Sequence, residues 1–236
     1  MMSEQKAKLP MTIAIDGPAA SGKSTLAIAL AARLGYLYFD TGVMYRAITW
    51  VALQKGMDLE DEASLTDLAE LVVIDVRPPS YEDGRGYDVW IDHDDITWQI
   101  RRPEVDANVS VVSAYPGVRS AMSAQQRRIG QRGRVVMVGR DIGTVVLPEA
   151  DLKIYLDASA EERARRRTAE IRARGGEADF EMILEMIRER DRIDSTRAVA
   201  PLRPAHDALL INSSTITAAQ VLDEVLEIIE TRQKAE

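Results

Sequence analysis

The chain of 236 residues contains no cysteine, which excludes disulfides and thiolate metal sites and fits a cytoplasmic protein. It has only two histidines, His93 and His206. Both read as structural, because the chemistry argued below needs no proton relay. No apolar run approaches the roughly 18 residues of a membrane span. Met1 to Pro10 is polar and contains lysine. It lacks an apolar stretch and is expected to be a frayed leader, not a secretory signal. Positive charge is also in deficit: the formal net charge is −8, a poor basis for non-specific nucleic-acid binding. Internal repeats and low-complexity runs are absent, and no oligomer signature is present, so a monomer is expected.

Hydrophobic residues make up 46% of the chain, enough for a sizeable core. Of the 30 basic residues, 24 are arginine, the side chain suited to bidentate contact with phosphate and carboxylate. Gly17-Pro18-Ala19-Ala20-Ser21-Gly22-Lys23-Ser24 fits the phosphate-loop pattern G-x-x-x-x-G-K-[ST] at every fixed position. Thr12–Ile15 before it reads as a buried strand. Lys23–Leu34 after it reads as a helix, with Leu26, Leu30, Ala31 and Leu34 at helical spacing. Such a turn aims successive backbone N–H groups and a helix N-terminus at a polyphosphate. The expected ATP-binding residues are Gly17, Pro18, Ala19, Ala20, Ser21, Gly22, Lys23, Ser24 and Thr25. Lys23 is expected to be solvent-exposed when the site is empty and to reach the β- and γ-phosphates, while the Ser24 hydroxyl ligates Mg²⁺.

The chain continues with a strand at Tyr36–Phe39, a turn at Asp40-Thr41-Gly42 and a helix over Met44–Lys55 that Gly56 stops. Met57 to Asp95 holds 13 acids and two arginines. It is expected to be a small insert with a solvated acidic surface and strands at Leu71–Val76 and Tyr87–Ile91. Trp90 and Trp98 read as packing residues. A helix is expected over Ala114–Arg132, then buried strands at Arg134–Val138 and Leu152–Leu156. Helices over Ser159–Arg174 and Phe180–Arg192 are separated by Gly175-Gly176. A strand at Ala208–Ile211 and a helix over Thr217–Thr231 end the pattern. Strands alternating with helices predict an α/β fold with a parallel sheet flanked by helices.

Ligands on such a sheet sit beyond the carboxyl ends of the strands. Besides the loop, three groups land there: Asp40, Thr41, Tyr45 and Arg46; Arg140 and Asp141; and the arginine-rich helical pair from Arg163, Arg166 and Arg167 to Arg190, Asp194 and Arg197. Transfer of a phosphoryl group to another phosphate crowds negative charge, and convergent arginines suit that task. The same arginines also suit a solvated face paired with Glu161, Glu162 and Glu170. Asp16 is open to two readings, a carboxylate holding a Mg²⁺-bound water or one bonded to loop amides.

Together these stretches resemble the bacterial-type cytidylate kinases of the nucleoside monophosphate kinase group. The likeness runs in order through Ile15–Ser24, Asp40-Thr41-Gly42-Val43-Met44-Tyr45-Arg46, Gly139-Arg140-Asp141-Ile142-Gly143-Thr144-Val145-Val146, Asp157-Ala158-Ser159 with Glu161, Glu162 and Arg163, and Arg197-Ala198-Val199-Ala200-Pro201-Leu202. The resemblance implies a single P-loop kinase domain over 1–236. Its core is about 11–56, 107–157 and 198–236, its nucleotide-binding insert about 57–106 and its helical lid about 158–197. It implies that Thr41, Arg46, Arg140 and Arg197 bind the acceptor phosphate, with Tyr45 beside them. Ser110, Arg119 and Asp141 would read cytosine, and Arg190 and Asp194 would hold the ribose. Arg163 and Arg167 would belong to a lid over ATP. Lys23, Arg46, Arg140, Arg163, Arg167 and Arg197 would stabilise the transferred charge. The implied reaction is Mg²⁺-ATP with CMP or dCMP. The rivals are a small kinase of shikimate or dephospho-coenzyme A and a nucleotide-dependent switch. At Val138 the chain departs from the resemblance, which has an acid before Gly-Arg-Asp.

Overall fold

The computed structural model describes residues 9–197 and 199–235, so the expected leader up to residue 8 lies outside the described residues, as does Ala198. In chain order the first half comprises β1 (Thr12–Asp16), α1 (Lys23–Leu34), β2 (Leu37–Asp40), α2 (Gly42–Gln54), α3 (Glu62–Leu71), β3 (Ile74–Arg77), β4 (Asp88–Ile91) and β5 (Asp94–Asp95). The second half comprises α4 (Pro103–Val112), α5 (Pro116–Gly130), β6 (Val135–Val138), β7 (Leu152–Asp157), α6 (Ala160–Ala173), α7 (Phe180–Thr196), β8 (Leu209–Asn212) and α8 (Ala218–Ala235).

Five strands form a parallel sheet in the order β2-β6-β1-β7-β8. The central strands β6, β1 and β7 are largely buried on both faces, as their apolar runs require, while the edge strands β2 and β8 are partly exposed. Successive side chains alternate between two cores. Ile13, Ile15, Val136, Val138, Ile154 and Leu156 pack on the side of α1 and α8. Ala14, Phe39, Val135 and Met137 pack on the side of α2, α3 and α5. Because every pair is parallel and in register, Asp16, Asp40, Val138 and Asp157 end the strands along one edge. That edge is where the site assembles.

A second, antiparallel sheet joins β3, β4 and β5. The expected strand at Leu71–Val76 starts too early, because the acid-rich sequence before it is helix α3. Asp61 caps α3 by accepting from Ser64 N at 3.1 Å, and Leu65, Leu68 and Ala69 bury its inner face. The acidic surface is also not simply solvated. Arg85 is almost wholly buried and pairs with Asp83 at 2.7 Å, Asp88 at 2.9 Å and Asp95 at 2.6 Å. Trp98 is exposed, with Nε1 donating to Asp83 at 2.9 Å, so it does not pack in the core. Asp92, in the left-handed region, and His93 make the two-residue turn between β4 and β5. α4 was not anticipated, and α5 is correspondingly shorter than the helix expected over Ala114–Arg132.

α6 and α7 pack on one another around Ala164, Ile183, Leu184 and Ile187, a small core separate from the two flanking the sheet. Ser159 caps α6 by accepting from Glu162 N at 3.2 Å, and Asp179 caps α7 by accepting from Met182 N at 2.9 Å. α7 runs past the expected Arg192 to Thr196, which carries Asp194 on helix.

Candidate active site

The phosphate loop leaves β1 under tight steric control. A Cβ at Gly17 would lie 2.1 Å from the Leu156 carbonyl oxygen, so only glycine fits there. Gly22, at φ +98°, turns the chain into α1. Lys23 corrects the expectation of an exposed side chain: it is 6% exposed, and its Nζ donates to Pro18 O at 2.6 Å. Burial, with repulsion from Arg140, lowers its pKa well below the ordinary value, against the pull of Asp40, Asp16 and Asp194. A buried cation bonded to a loop carbonyl gains most from an anion brought into the loop. Ser24 and Thr25 are exposed at the first turn of α1.

Asp16 is bonded to loop amides, though not those of the phosphate loop. Its carboxylate oxygens accept from Ile142 N at 2.8 Å and Gly143 N at 2.7 Å. Burial raises its pKa to about 6, although both amides and Lys23 oppose the shift. Those amides open a π-helical turn, Ile142–Val146, that follows β6. Val138, where the resemblance has an acid, is buried in the α1 and α8 core. Its carbonyl accepts from both Thr41 N and Thr41 Oγ1.

Arg140 spans the site. Its Nη1 donates to Gly17 O at 3.1 Å and its Nε to Asp194 at 2.9 Å. Asp141 lies between two guanidinium groups: Arg119 Nη2 donates to it at 2.9 Å, and Arg197 Nη2 is 3.8 Å away. Arg119 Nε and Arg197 Nη2 are buried without a hydrogen-bond partner. Burial, with repulsion from Arg119, lowers the pKa of Arg197. Two crowded arginines around one aspartate, with N–H groups to spare, can take a further acceptor. Tyr45 is buried beneath Arg119, whose guanidinium carbon is 5.6 Å from the ring centre.

Other expected residues sit around this centre. Arg46 pairs with Asp106 of α4 and donates to Ile100 O at 3.3 Å. Ser110 is exposed on α4; its carbonyl accepts from Ser113 Oγ, and Ser113 O receives Arg119 Nη1 at 3.4 Å. Arg190 keeps an exposed side chain, yet desolvation and repulsion from Arg140 lower its pKa. Arg163 is nearly buried, paired with Asp191 at 2.5 Å, and donates to Ala19 O at 3.3 Å. Arg167 makes its ion pair with Glu170, one turn along α6. The neighbour that reaches the phosphate loop is Arg166, which donates to Ser21 O at 3.3 Å and Ser213 Oγ at 3.1 Å. A cleft of about 350 Å³ between α1, α6 and α8 opens beside these groups, lined by Ser21, Thr25, Leu156, Arg166, Ser213 and Ile216.

Sequence reasoning gave no role to Asp191, Ser213, Gln126 or Arg127. The first two hold arginines, Gln126 is buried, and Arg127 donates to Val146 O and Val145 O. Asp40 was visible in its motif but had no assignment. It bonds Gly42 N at 3.0 Å and pulls on Lys23 more strongly than Asp16 does.

A protein-family model described as cytidylate kinase matches residues 13–231. The cytidylate kinase of Chloroflexus aggregans is 53% identical over 219 residues, covering 93% of this chain and 94% of that protein. The cytidylate kinase of Roseiflexus castenholzii is 51% identical over 224 residues, covering 94% and 95%. Among solved structures, an uncharacterized protein from Eubacterium ventriosum matches with a TM-score of 0.50 at 12% identity. It covers 92% of this chain and 97% of that one, a likeness of fold alone.

Proposed function

This chain belongs to the cytidylate kinase family, and we propose that the residues along the carboxyl edge of its sheet divide that reaction between them. The protein transfers the γ-phosphoryl group of ATP to CMP and dCMP. The assignment rests above all on Asp141, held between Arg119 and Arg197 with guanidinium N–H groups still unpaired. Cytosine offers an amino donor beside ring acceptors, which complements a carboxylate flanked by arginines. Asp141 with Arg119 and Ser110 reads the base. Thr41, Arg46, Arg140 and Arg197 hold the acceptor phosphate against Tyr45. Asp194 and Arg190 hold the ribose.

On the donor side, residues 17–25 bind ATP and Lys23 moves from Pro18 O to the phosphates. The cleft beside Ser21 and Thr25 takes the adenine. Arg163 and Arg167 belong to a lid over about 158–197, supported by the separate small core of α6 and α7. Closure of that lid excludes water and suppresses futile hydrolysis. The acceptor oxygen is already ionised, so no general base is required, and positioning and charge stabilisation carry the rate. The insert is about 57–106 and the core about 11–56, 107–157 and 198–236.

Magnesium fits the donor set. Ser24 offers one exposed hydroxyl at the loop, and among the described residues no three His, Cys, Asp or Glu side chains cluster into a protein-only site. An ion that keeps phosphates and waters as its other ligands needs no more. Asp16 would hold one of those waters through a lone pair left free by its bonds to Ile142 N and Gly143 N. When bound, the ion neutralises charge on the β- and γ-phosphates. No described helix is long and apolar enough to cross a membrane. We take the protein to be a cytoplasmic monomer of pyrimidine nucleotide metabolism that does not bind nucleic acid.

A coupled assay of ADP release with CMP, dCMP, UMP, AMP, shikimate or no acceptor tests the reading. Release is expected with CMP and dCMP. Turnover of shikimate, or acceptor-independent hydrolysis at the same rate, would overturn it.

A further inference from the structure

We propose that Arg127 is a positioning residue for base selection, acting through the turn that carries Asp141. The proposal rests on the reading of Asp141 as the group that recognises the base. Asp141 is the N-cap of the π-helical turn Ile142–Val146, with φ −145° and ψ 24°. Its carbonyl accepts from Val145 N at 2.9 Å and Val146 N at 3.1 Å. Where Asp141 points therefore depends on where the far end of the turn is held.

A single π-turn satisfies few of its own terminal groups. Here both ends are clamped from outside. The Asp16 carboxylate takes the N–H groups of Ile142 and Gly143. Arg127 serves the other end: its Nε donates to Val146 O at 2.9 Å and its Nη2 to Val145 O at 2.7 Å. A charged fork satisfying two adjacent carbonyls is among the stronger and more directional hydrogen-bonded arrangements. Ile142 and Val146 are fully buried, so a loosened turn cannot turn to water instead.

The same helix supplies Asp141's own partner. Arg119 and Arg127 both lie on α5, eight residues apart, a rise of about 12 Å. Arg119 bonds the Asp141 carboxylate at the start of the turn, and Arg127 holds its end. One rigid helix thus sets the distance between the carboxylate and the carbonyls that anchor it. A shift of the order of an ångström in a recognising carboxylate costs rate and discrimination together.

The test measures kcat and KM for CMP, UMP and ATP in wild type, Arg127→Met, Arg127→Lys, Asp141→Asn and the double variant Arg127→Met/Asp141→Asn. Arg127→Met is expected to raise the KM for CMP and narrow the CMP-to-UMP preference by about tenfold or more each. The KM for ATP should stay within about twofold. Arg127→Lys should restore part of the preference, because an ammonium still donates to the carbonyls. In the double variant Arg127→Met should add little to the effect of Asp141→Asn on the preference, because both act through one carboxylate. If Asp141→Asn leaves the preference unchanged, the base reading itself fails. If Asp141→Asn narrows it and Arg127→Met does not, only the role of Arg127 fails. Should Arg127→Met not fold, Arg127→Lys and Arg127→Gln carry the comparison. Loss of CMP and ATP affinity alike in every variant, or folding of none, makes Arg127 a purely structural cap and overturns the proposal.

Discussion

Lys23 and Asp141 show how far a residue's chemistry depends on what surrounds it. Lys23 is buried with its Nζ bonded to Pro18 O inside the phosphate loop, and burial lowers its pKa, so an anion entering the loop would favour its charged form. Lys23→Ala should lower kcat by at least about a hundredfold, the scale of losing one charge-stabilising donor. A near-normal kcat in a folded variant would remove the loop lysine from the mechanism. Asp141 is the residue proposed to read the base. Uracil presents an oxygen where cytosine has its amino group, so two acceptors would meet in a site without water. Asp141→Asn can rotate its amide to offer a donor. CMP should lose about 1–3 kcal/mol of binding while UMP improves, read as kcat/KM for both nucleotides. An unchanged ratio would leave Asp141 as a structural partner of Arg119. The phosphate-loop pattern singles out Lys23 by residue identity and spacing, whereas Asp141 is singled out as a reader of the base only by the resemblance carried by the Gly-Arg-Asp stretch. Which of two adjacent arginines touches the loop was not legible. Arg166 and Arg167 are separated by about 100° around α6, and only the packing of α6 against Ser21 and Ser213 chooses Arg166.

At the scale of elements, helices carry the connections between parts. Gln125 of α5 accepts from Ile74 N at 2.9 Å and donates to Val72 O at 2.8 Å and Ala69 O at 3.2 Å. It thereby bridges the end of α3 and the start of β3. Gln125→Ala should destabilise the protein by about 1–3 kcal/mol, the cost of stranding partly buried backbone groups. Urea denaturation at constant m-value checks it, and a midpoint equal to wild type would refute it. The α6–α7 pair has its own small core and ion pairs such as Arg163–Asp191. Its amide hydrogen exchange should slow when ATP and CMP bind together, and unchanged protection over about 158–194 would count against a closing lid. The five parallel strands were legible as short apolar runs alternating with helical patterns, β-branched in β6 and rich in leucine or aromatic residues in β2, β7 and β8. α3 and α4 were not. α3 is short and acid-rich, with its apolar face reduced to Leu65, Leu68 and Ala69, and α4 starts at Pro103 directly after an irregular turn.

For the whole molecule, the sheet edge is a place where stability and function share one carboxylate. Asp16 ties β1, and with it the phosphate loop, to the turn after β6. Its pKa is raised from 3.8 to about 6, chiefly by burial. The folded state therefore binds a proton that the unfolded state releases across that interval. Stability from this group is fully present below pH 3.8 and is lost as pH rises through about 6. Over the window the loss is about 3 kcal/mol, from roughly two pKa units at 1.36 kcal/mol each. Asp16→Asn keeps an oxygen acceptor for one amide but sets its own NH₂ against the other, and it does not titrate. The variant therefore carries a constant penalty, and only the pH dependence of the difference is diagnostic. The stability of wild type minus that of Asp16→Asn should fall between about pH 4 and pH 7 by an amount on this scale. Other carboxylates titrate alike in both proteins and cancel. Urea unfolding of each at several pH values measures the difference. A difference that stays flat would mean that Asp16 is ionised in the folded protein throughout, its two amide bonds outweighing burial. A difference flat over that window but rising with pH below about pH 4 would mean that they depress its pKa below 3.8.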